Sequence, residues 1–535
     1  MRLTGFHPAK GTFLPGEAVS LIAEVEASES ESAGFRVLIR HLGEQVMRIE
    51  GSQELVPGPQ MIRLEWTPPA VAAGYSAAIE LTSREENTAL RASTSFDVLR
   101  RWTDFPRYGF LSDFGPERLD PDAAVKSLLR FHINGLQFYD WQYRHDQLLA
   151  PADEYIDPLG RPLSLKTIRA LVDSAQRHGM AALPYLAVYA ASAPFQAEHP
   201  RWALHDEKGK PIPFGEDFLG LMDPSARSPW SMHLLGECRK ALDGIPFDGL
   251  HIDQYGEPRR VWDADHEQVD LPRAFVEFIR AARAGYPDKA VLFNCVGNWP
   301  VEAIAPSPVD FPYIEVWPPE VEYRHLARIV REAVRLSGGK PVVIALYLPA
   351  DRPENILLAD AVILACGGTR IELGESSRLL ADPYFPRHQH IPEGLLARLR
   401  ITYDYAVRNG EWLMPYALSG PEREEWAEGI SDPGFIEVPA SIWTSARRVS
   451  GGITIQLVNF SGLQEGLRWD EEHSAPVPHR EIPVRVRLPE RPERVLWDCP
   501  EQRDGARSLD FEFLDGGLGF TIPSLHYTGL IHIHG

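Results

Sequence analysis

Positive charge is scarce in this chain of 535 residues: 54 Lys and Arg stand against 75 Asp and Glu, a formal net charge of −21. A nucleic-acid partner needs a basic surface, and no Lys/Arg block stands out, so nucleic acid is excluded. Cysteine is scarce too. Cys238, Cys295, Cys366 and Cys499 lie far apart, with no CxxC pair and no His at zinc-ligand spacing. They point to reduced or buried thiols rather than a metal site or a disulfide framework. No apolar run is long enough to cross a membrane, and the first residues lack a basic start, an apolar stretch and a cleavage site. The expected location is therefore cytoplasmic, or secreted if an export signal has been removed. No glycine-rich nucleotide loop follows any strand, and neither cofactor nor metal is expected.

What remains is ample core-forming capacity, 44% hydrophobic with 24% charged residues, and length for about three domains. Residues 1–100 read as short alternating strands parted by Pro, Gly and charged turns, the pattern of an immunoglobulin-like β-sandwich with Trp66 and Phe96 in its core. From Arg107 the pattern becomes strand, helix, strand, with apolar strands beginning near Tyr108, Gly135, Ala181, Gly249, Ala290, Phe311, Pro341 and Gly368. Asp120 and Pro121 suit N-cap and N1 of the first helix. Leu165, Ile168, Leu171, Val172 and Ala175 form one apolar stripe closed by Gly179. The stretches 225–243, 271–285, 321–337, 353–365 and 392–409 supply further helices. Eight such pairs in residues 101–415 predict a (β/α)8 TIM barrel. Residues 416–535 return to β-structure and predict a C-terminal antiparallel β-sandwich of Greek-key type that buttresses the barrel.

Two strands end in a carboxylate. Asp253 closes the apolar run in FDGLHIDQYG (Phe247 to Gly256), and Glu315 that in FPYIEVWP (Phe311 to Pro318). Strand alternation turns both away from the apolar faces formed by Leu250 with Ile252 and by Ile314 with Val316. If the apolar face of each strand packs on helices, the other face gathers Tyr185 and Tyr189, His251 and Asp253, Asn294, then Tyr313, Glu315 and Trp317, then Tyr347 and Glu372 at the top of the barrel. Asp140, Trp141 and Tyr143 end the second strand. Sugar rings stack their C–H faces on aromatics and bond their hydroxyls to carboxylates and amides, so this acidic and aromatic set suits a neutral saccharide. Two facing carboxylates are the minimum for glycosidic cleavage. Tyr185 serves equally well as barrel filling. His251, one layer below Asp253, reads as a hydrogen-bonding support, and Asp248 as a brace of the turn. The pairs His388/His390 and His532/His534 lack a third ligand nearby.

The segments NGLQFYDWQYRHD (Asn134 to Asp146), FDGLHIDQYG and YIEVWP occur in the order seen in glycoside hydrolase family 66, the dextranases and cycloisomaltooligosaccharide glucanotransferases, which this chain resembles over the barrel and both flanking β-regions. The resemblance implies retaining hydrolysis of α-1,6-linked glucan, dextran or isomalto-oligosaccharides, by double displacement. It makes Asp253 the nucleophile, Glu315 the acid/base and Asp140 an acidic contact to the cleaved glucose. Trp141, Tyr189, Asn294, Trp317, Tyr347 and Glu372 are expected to complete the substrate-binding rim. Cyclising members carry a long carbohydrate-binding insertion in the catalytic region. Here the connections after the last four strands are short, which favours hydrolysis over transglycosylation. A non-catalytic glucan-binding protein would have no need of both carboxylates.

Overall fold

The computed structural model describes residues 1–83, 89–118, 120–216, 218–414, 436–449, 451–463 and 467–535. The boundary expected at 415/416 lies outside them. The N-terminal region forms two antiparallel sheets. One has Val19–Ala27 between Arg2–Pro8 and Gly58–Trp66; the other runs in the order Glu44–Leu55, Glu31–His41, Ala73–Ser83, Ala89–Val98. Their alternating apolar faces close over one core that includes Phe6, Leu21, Val37, Ile79 and Phe96. Trp66 meets Phe96 edge-on at 6.3 Å, and Tyr75 stacks on Phe96 at 5.1 Å, so the aromatics singled out in the sequence do share that core. Arg107 ties these sheets to the central region. Fully buried, it pairs with Asp97 at 2.6 Å and also donates to the carbonyls of Gly11, Phe105 and His132. Its charge and its hydrogen-bonding capacity are both met, which makes its burial tolerable.

The central region is mixed α/β. Eight parallel strands succeed one another: β1 Tyr108–Leu111, β2 Gly135–Phe138, β3 Ala181–Ala187, β4 Gly249–Asp253, β5 Ala290–Val296, β6 Pro312–Glu315, β7 Val342–Ala345 and β8 Gly368–Ile371. Each pairs with the next, in a curled sheet of eleven strands. One residue beyond β8, Leu373–Gly374 forms β9, whose Gly374 pairs in parallel with Phe110 of β1. A Cβ at Gly374 would lie 2.5 Å from the Phe110 ring, so this approach requires glycine.

Helices return the chain between strands: α1 Pro121–Leu129, α2 Leu165–Arg177, α3 Pro229–Gly244, α4 Leu271–Gly285, α5 Tyr323–Leu336, α6 Pro353–Ala365 and α7 Glu393–Arg408. Their ends follow the capping chemistry. Asp120 accepts from Ala123 N–H at 2.9 Å ahead of Pro121, and Ser164 caps α2 through Thr167 N–H. The stretch 225–243 becomes helical only from Pro229, because Ser225 is held in a turn by Asp223 and Ser228 takes the N-cap. Helix α6 is buried on every side, and its apolar sequence has no polar face to offer water. C-terminal strands cover it, in two antiparallel sheets of four and five that share a core of Ile455, Val484, Trp497, Ile522 and Ile531.

Candidate active site

Strand register decides which side chains meet. Tyr185 lies opposite His251, Asn294 opposite Tyr313, and Val296 opposite Glu315. Below them the inward positions are apolar: Phe110, Leu183, Leu292, Val343 and Ile371 pack together on the concave side of the curled sheet. Toward the C-terminal strand ends, where folds of parallel strands and helices build their sites, this filling gives way to a cavity of about 600 Å3. It is lined by Asp253, Asn294, Glu315, Trp317 and Tyr347, with Tyr185 and Tyr189 on one side and His251 on the floor.

The two carboxylates share a ligand. The amide nitrogen of Asn294 donates to Asp253 Oδ1 at 2.8 Å and to Glu315 Oε2 at 3.0 Å. One nitrogen bonded to both confines those oxygens to less than about 6 Å of each other, beside the ~5–5.5 Å typical of retaining glycosidases and the ~6.5–9.5 Å of inverting ones. The amide orientation follows from its surroundings, since only the NH2 group can face two carboxylates. Asp253 also accepts from Tyr185 Oη at 2.9 Å and from the Gln254 N–H at 2.9 Å. Glu315 also accepts from Tyr347 Oη at 2.6 Å. Burial raises both acids: Asp253 is pushed up to about 7, first by desolvation and then by the neighbouring Glu315 charge. Glu315 is raised by desolvation against the pull of Tyr347, Asn294 and Trp317. Two buried acids at this separation titrate as a pair, so ionisation of one disfavours ionisation of the other. His251 lies under Tyr108, stacked at 5.8 Å, and burial pushes it down to about 3. It is neutral at neutral pH.

The other residues singled out in the sequence divide. Tyr189 lines the cavity edge-on to Phe214, and Trp317 stands 37% exposed at the mouth against Tyr347. Trp141 does not line it. Fully buried, its indole donates to the Tyr185 carbonyl at 3.1 Å and packs on Phe247, so it supports the wall from behind. Asp140, two residues past the end of β2 with φ of +50°, is not among the lining residues; it stands partly exposed beside Arg161 at 3.9 Å, and burial pushes it up to about 7. Asp248 accepts from Ala182 N–H and Gln176, bracing the start of β4 against β3 and α2.

The placement of Glu372 on the rim is corrected. Inward parity on β8 belongs to Thr369 and Ile371, so Arg370 and Glu372 face the helices. There Arg370 bonds Glu372 and, at 2.8 Å, Asp360 of α6, while Tyr403 of α7 donates to Glu372 at 2.9 Å. The assumption that the polar face turns inward fails here because a buried ion cluster replaces the apolar contact with helices. Burial pushes Glu372 up to about 8, above its unfolded value of ~4.3. The folded state therefore binds the extra proton, and its stability falls as pH rises from about 4.3 through about 8. Glu372→Gln is expected to leave turnover at the carboxylate pair unchanged and to become more stable relative to wild type as pH is raised from 5 to 8 in urea unfolding. A turnover loss beyond tenfold would return Glu372 to the site.

Several lining residues carried no clear signal in sequence. Tyr139 and Phe385 stack at 4.1 Å on one wall. Gln137, Phe214, Tyr255 and Arg259 also line it. Phe214 comes from a three-stranded antiparallel sheet inserted between β3 and α3 (Ala190–Ser192, Pro213–Phe214, Leu219–Leu221), whose strands are too short to announce themselves.

Comparison with known proteins adds a family. The model of glycosyl hydrolase family 66 matches residues 8–532. A cycloisomaltooligosaccharide glucanotransferase of Niallia circulans is 27% identical over 63% of this chain and 37% of its own. A dextranase of Streptococcus salivarius is 22% identical over 78% of this chain and 60% of its own. The chain thus matches less than two thirds of the length of either relative. In structure it is similar to a Paenibacillus sp. cycloisomaltooligosaccharide glucanotransferase complexed with cycloisomaltoheptaose, at a TM-score of 0.87 and 20% identity over 99% of each chain.

Proposed function

The chain belongs to glycosyl hydrolase family 66, and from that premise we propose that it hydrolyses α-1,6-glucosidic linkages of dextran or isomalto-oligosaccharides with retention. The carrying observation is the carboxylate pair bridged by Asn294. In this reading Asp253 attacks the anomeric carbon while Glu315 protonates the departing oxygen; Glu315 then takes a proton from the water that opens the ester. Three donors, Tyr185, Asn294 and the Gln254 N–H, favour the ionised form of Asp253. In this reading the proton that the leaving oxygen needs rests on Glu315, in its aromatic setting between Tyr313, Trp317 and Tyr347. The approach of the two oxygens that share Asn294 to within about 6 Å supports the shorter spacing of retaining enzymes over the wider one that inversion uses for its water.

The aromatic lining supplies stacking planes for glucose rings, with Tyr189, Trp317 and Tyr347 as contacts; Asn294 contributes by fixing both acids. Asp140 acts through Arg161 and the cavity wall. The same reading takes the curled sheet as a closed (β/α)8 barrel over residues 101–415, because the run from Gly368 to Gly374 pairs with β7 at its start and with β1 at its end. It takes residues 1–100 as an immunoglobulin-like sandwich and 416–535 as a Greek-key one.

The connections after β5 to β7 are short as expected, whereas the one after β8 runs on to Glu393 and brings Pro383 and Phe385 to the cavity; the exposed Trp317 at the mouth still supports access of water and hydrolysis. Transglycosylation, with a sugar hydroxyl resolving the ester, is the second reading. It is favoured by the likeness to a glucanotransferase over 99% of that chain. A dextran digest resolved by chromatography separates the two. Linear isomalto-oligosaccharides are expected; mainly cyclic products would overturn the hydrolase.

A further inference from the structure

A second cavity, of about 990 Å3, shares no lining residue with the first. It lies where the N-terminal sheets meet α1, α2 and α7 and a loop of the C-terminal region. The contributions of α1 and α2 include Arg130 and His178 at their C-caps, the ends that lead into the strands, so the cavity stands away from the strand ends that carry the carboxylate pair. Only two of its lining side chains are aromatic, Phe13 and Phe131, whereas tyrosines dominate the first cavity. It lacks the stacking planes a glucan needs.

Its distinguishing property is charge. Eight Lys and Arg side chains line it against three carboxylates, in a chain of formal net charge −21. Five of the eight are paired with carboxylates. Two of the lining acids are committed: Glu24 to Arg130 and His7, and Asp404 to His132 and the Ser95 N–H. The third, Glu393, is exposed at the first turn of α7. Among the described residues Arg63, Arg400 and Arg503 meet no carboxylate. Arg63 donates to Ser20 Oγ at 2.9 Å and Arg400 to the Phe6 carbonyl at 2.8 Å, neutral oxygens, so neither is held in an ion pair. Arg400 is half-buried; burial works against its charge, as do the charges of Arg130 and Arg503, and the Asp404 and Glu24 carboxylates offset this only in part. An uncompensated guanidinium out of full solvent is costly, and its planar fork fits the oxygens of a tetrahedral oxyanion.

We infer that this cavity is a binding site for a small phosphate monoester, its phosphate held among Arg63, Arg400 and Arg503 and its organic part in the remaining volume. Inorganic phosphate would fill a small fraction of the space, which sits at the upper end of the ~300–1,000 Å3 typical of small-molecule sites. Because the three arginines come from three regions of the chain, a bound oxyanion bridges those regions and stabilises the folded state.

The test uses the full chain at fixed ionic strength, with glucose 6-phosphate, inorganic phosphate, glucose and sodium chloride as probes in titration calorimetry and thermal unfolding. Glucose 6-phosphate is expected to bind saturably and raise Tm, inorganic phosphate to bind more weakly, and glucose and chloride to do neither. Arg63→Gln and Arg503→Gln, both at exposed positions, should each raise the Kd at least tenfold while dextran turnover stays as in wild type; Arg400→Gln should raise it further. Saturable binding that persists unchanged in these variants, or no saturable binding in wild type, would overturn the site. Inorganic phosphate binding as tightly as glucose 6-phosphate would overturn the monoester class.

Discussion

An Asp253→Asn variant is expected to lose dextran turnover by about 10^4-fold or more, the order seen when a covalent nucleophile is removed. The substitution keeps the shape of the side chain but cannot form the glycosyl ester. Its effect on folding should run the other way. Asp253 is raised to about 7 in the folded protein, above its unfolded ~3.9, so its charge lowers stability progressively as pH rises from about 3.9 through about 7. The neutral amide escapes that penalty, and the variant should match or exceed wild-type stability at pH 8. Azide separates loss of the nucleophile from general damage. Added to Asp253→Ala with an α-glucosyl fluoride, it enters the vacated side of the anomeric carbon and should give the inverted β-glucosyl azide. Turnover of dextran within tenfold of wild type in either variant would remove Asp253 from the reaction.

Glu315→Gln is the second large effect, and its size should depend on the leaving group. With dextran the departing oxygen needs a proton, and loss of general acid and base should cost roughly 10^3- to 10^4-fold. With a glucosyl fluoride or a nitrophenyl glucoside the leaving group needs little protonation, so ester formation should persist and the second step becomes limiting. Azide needs no general base. It should restore turnover and yield the retained α-glucosyl azide, the opposite anomer from the Asp253 variant. The pair's electrostatics give a further readout. In this reading Glu315 is the protonated member of the pair, so its replacement should remove the alkaline limb of the kcat/KM profile with an activated substrate and leave the acid limb, set by Asp253, in place. Equal losses on dextran and on activated substrates would argue against Glu315 as proton donor.

How much of this was legible in the sequence depended on which contacts decide each element. Strand starts from Tyr108 to Gly368 fell within a residue of their sequence positions, and helices 271–285 and 353–365 matched in full, because apolar periodicity and Pro or Asp at the N-terminus are local signals. Parity along β4 to β7 brought Asp253, Asn294, Glu315 and Tyr347 together for the same reason. It failed on β8, where the partner that makes Glu372 structural is Arg370 together with Asp360 and Tyr403 from two distant helices. Trp141 carries the same lesson: beyond the end of β2 alternation no longer sets direction, and its indole turned to the Tyr185 carbonyl. Tyr185 itself looked as much like filling as function, and only its distance to Asp253 separates the two. The Asn294 bridge rests on relative heights in neighbouring strands, which no single strand encodes.

The stereochemistry of the first product tests the central claim most directly. Proton NMR of the dextran digest in its first minutes, before the new reducing ends mutarotate, should show the α-anomer in excess and then its decay toward the equilibrium mixture. Initial accumulation of the β-anomer would mean a single displacement by water and would contradict the assignment of Asp253 as a nucleophile.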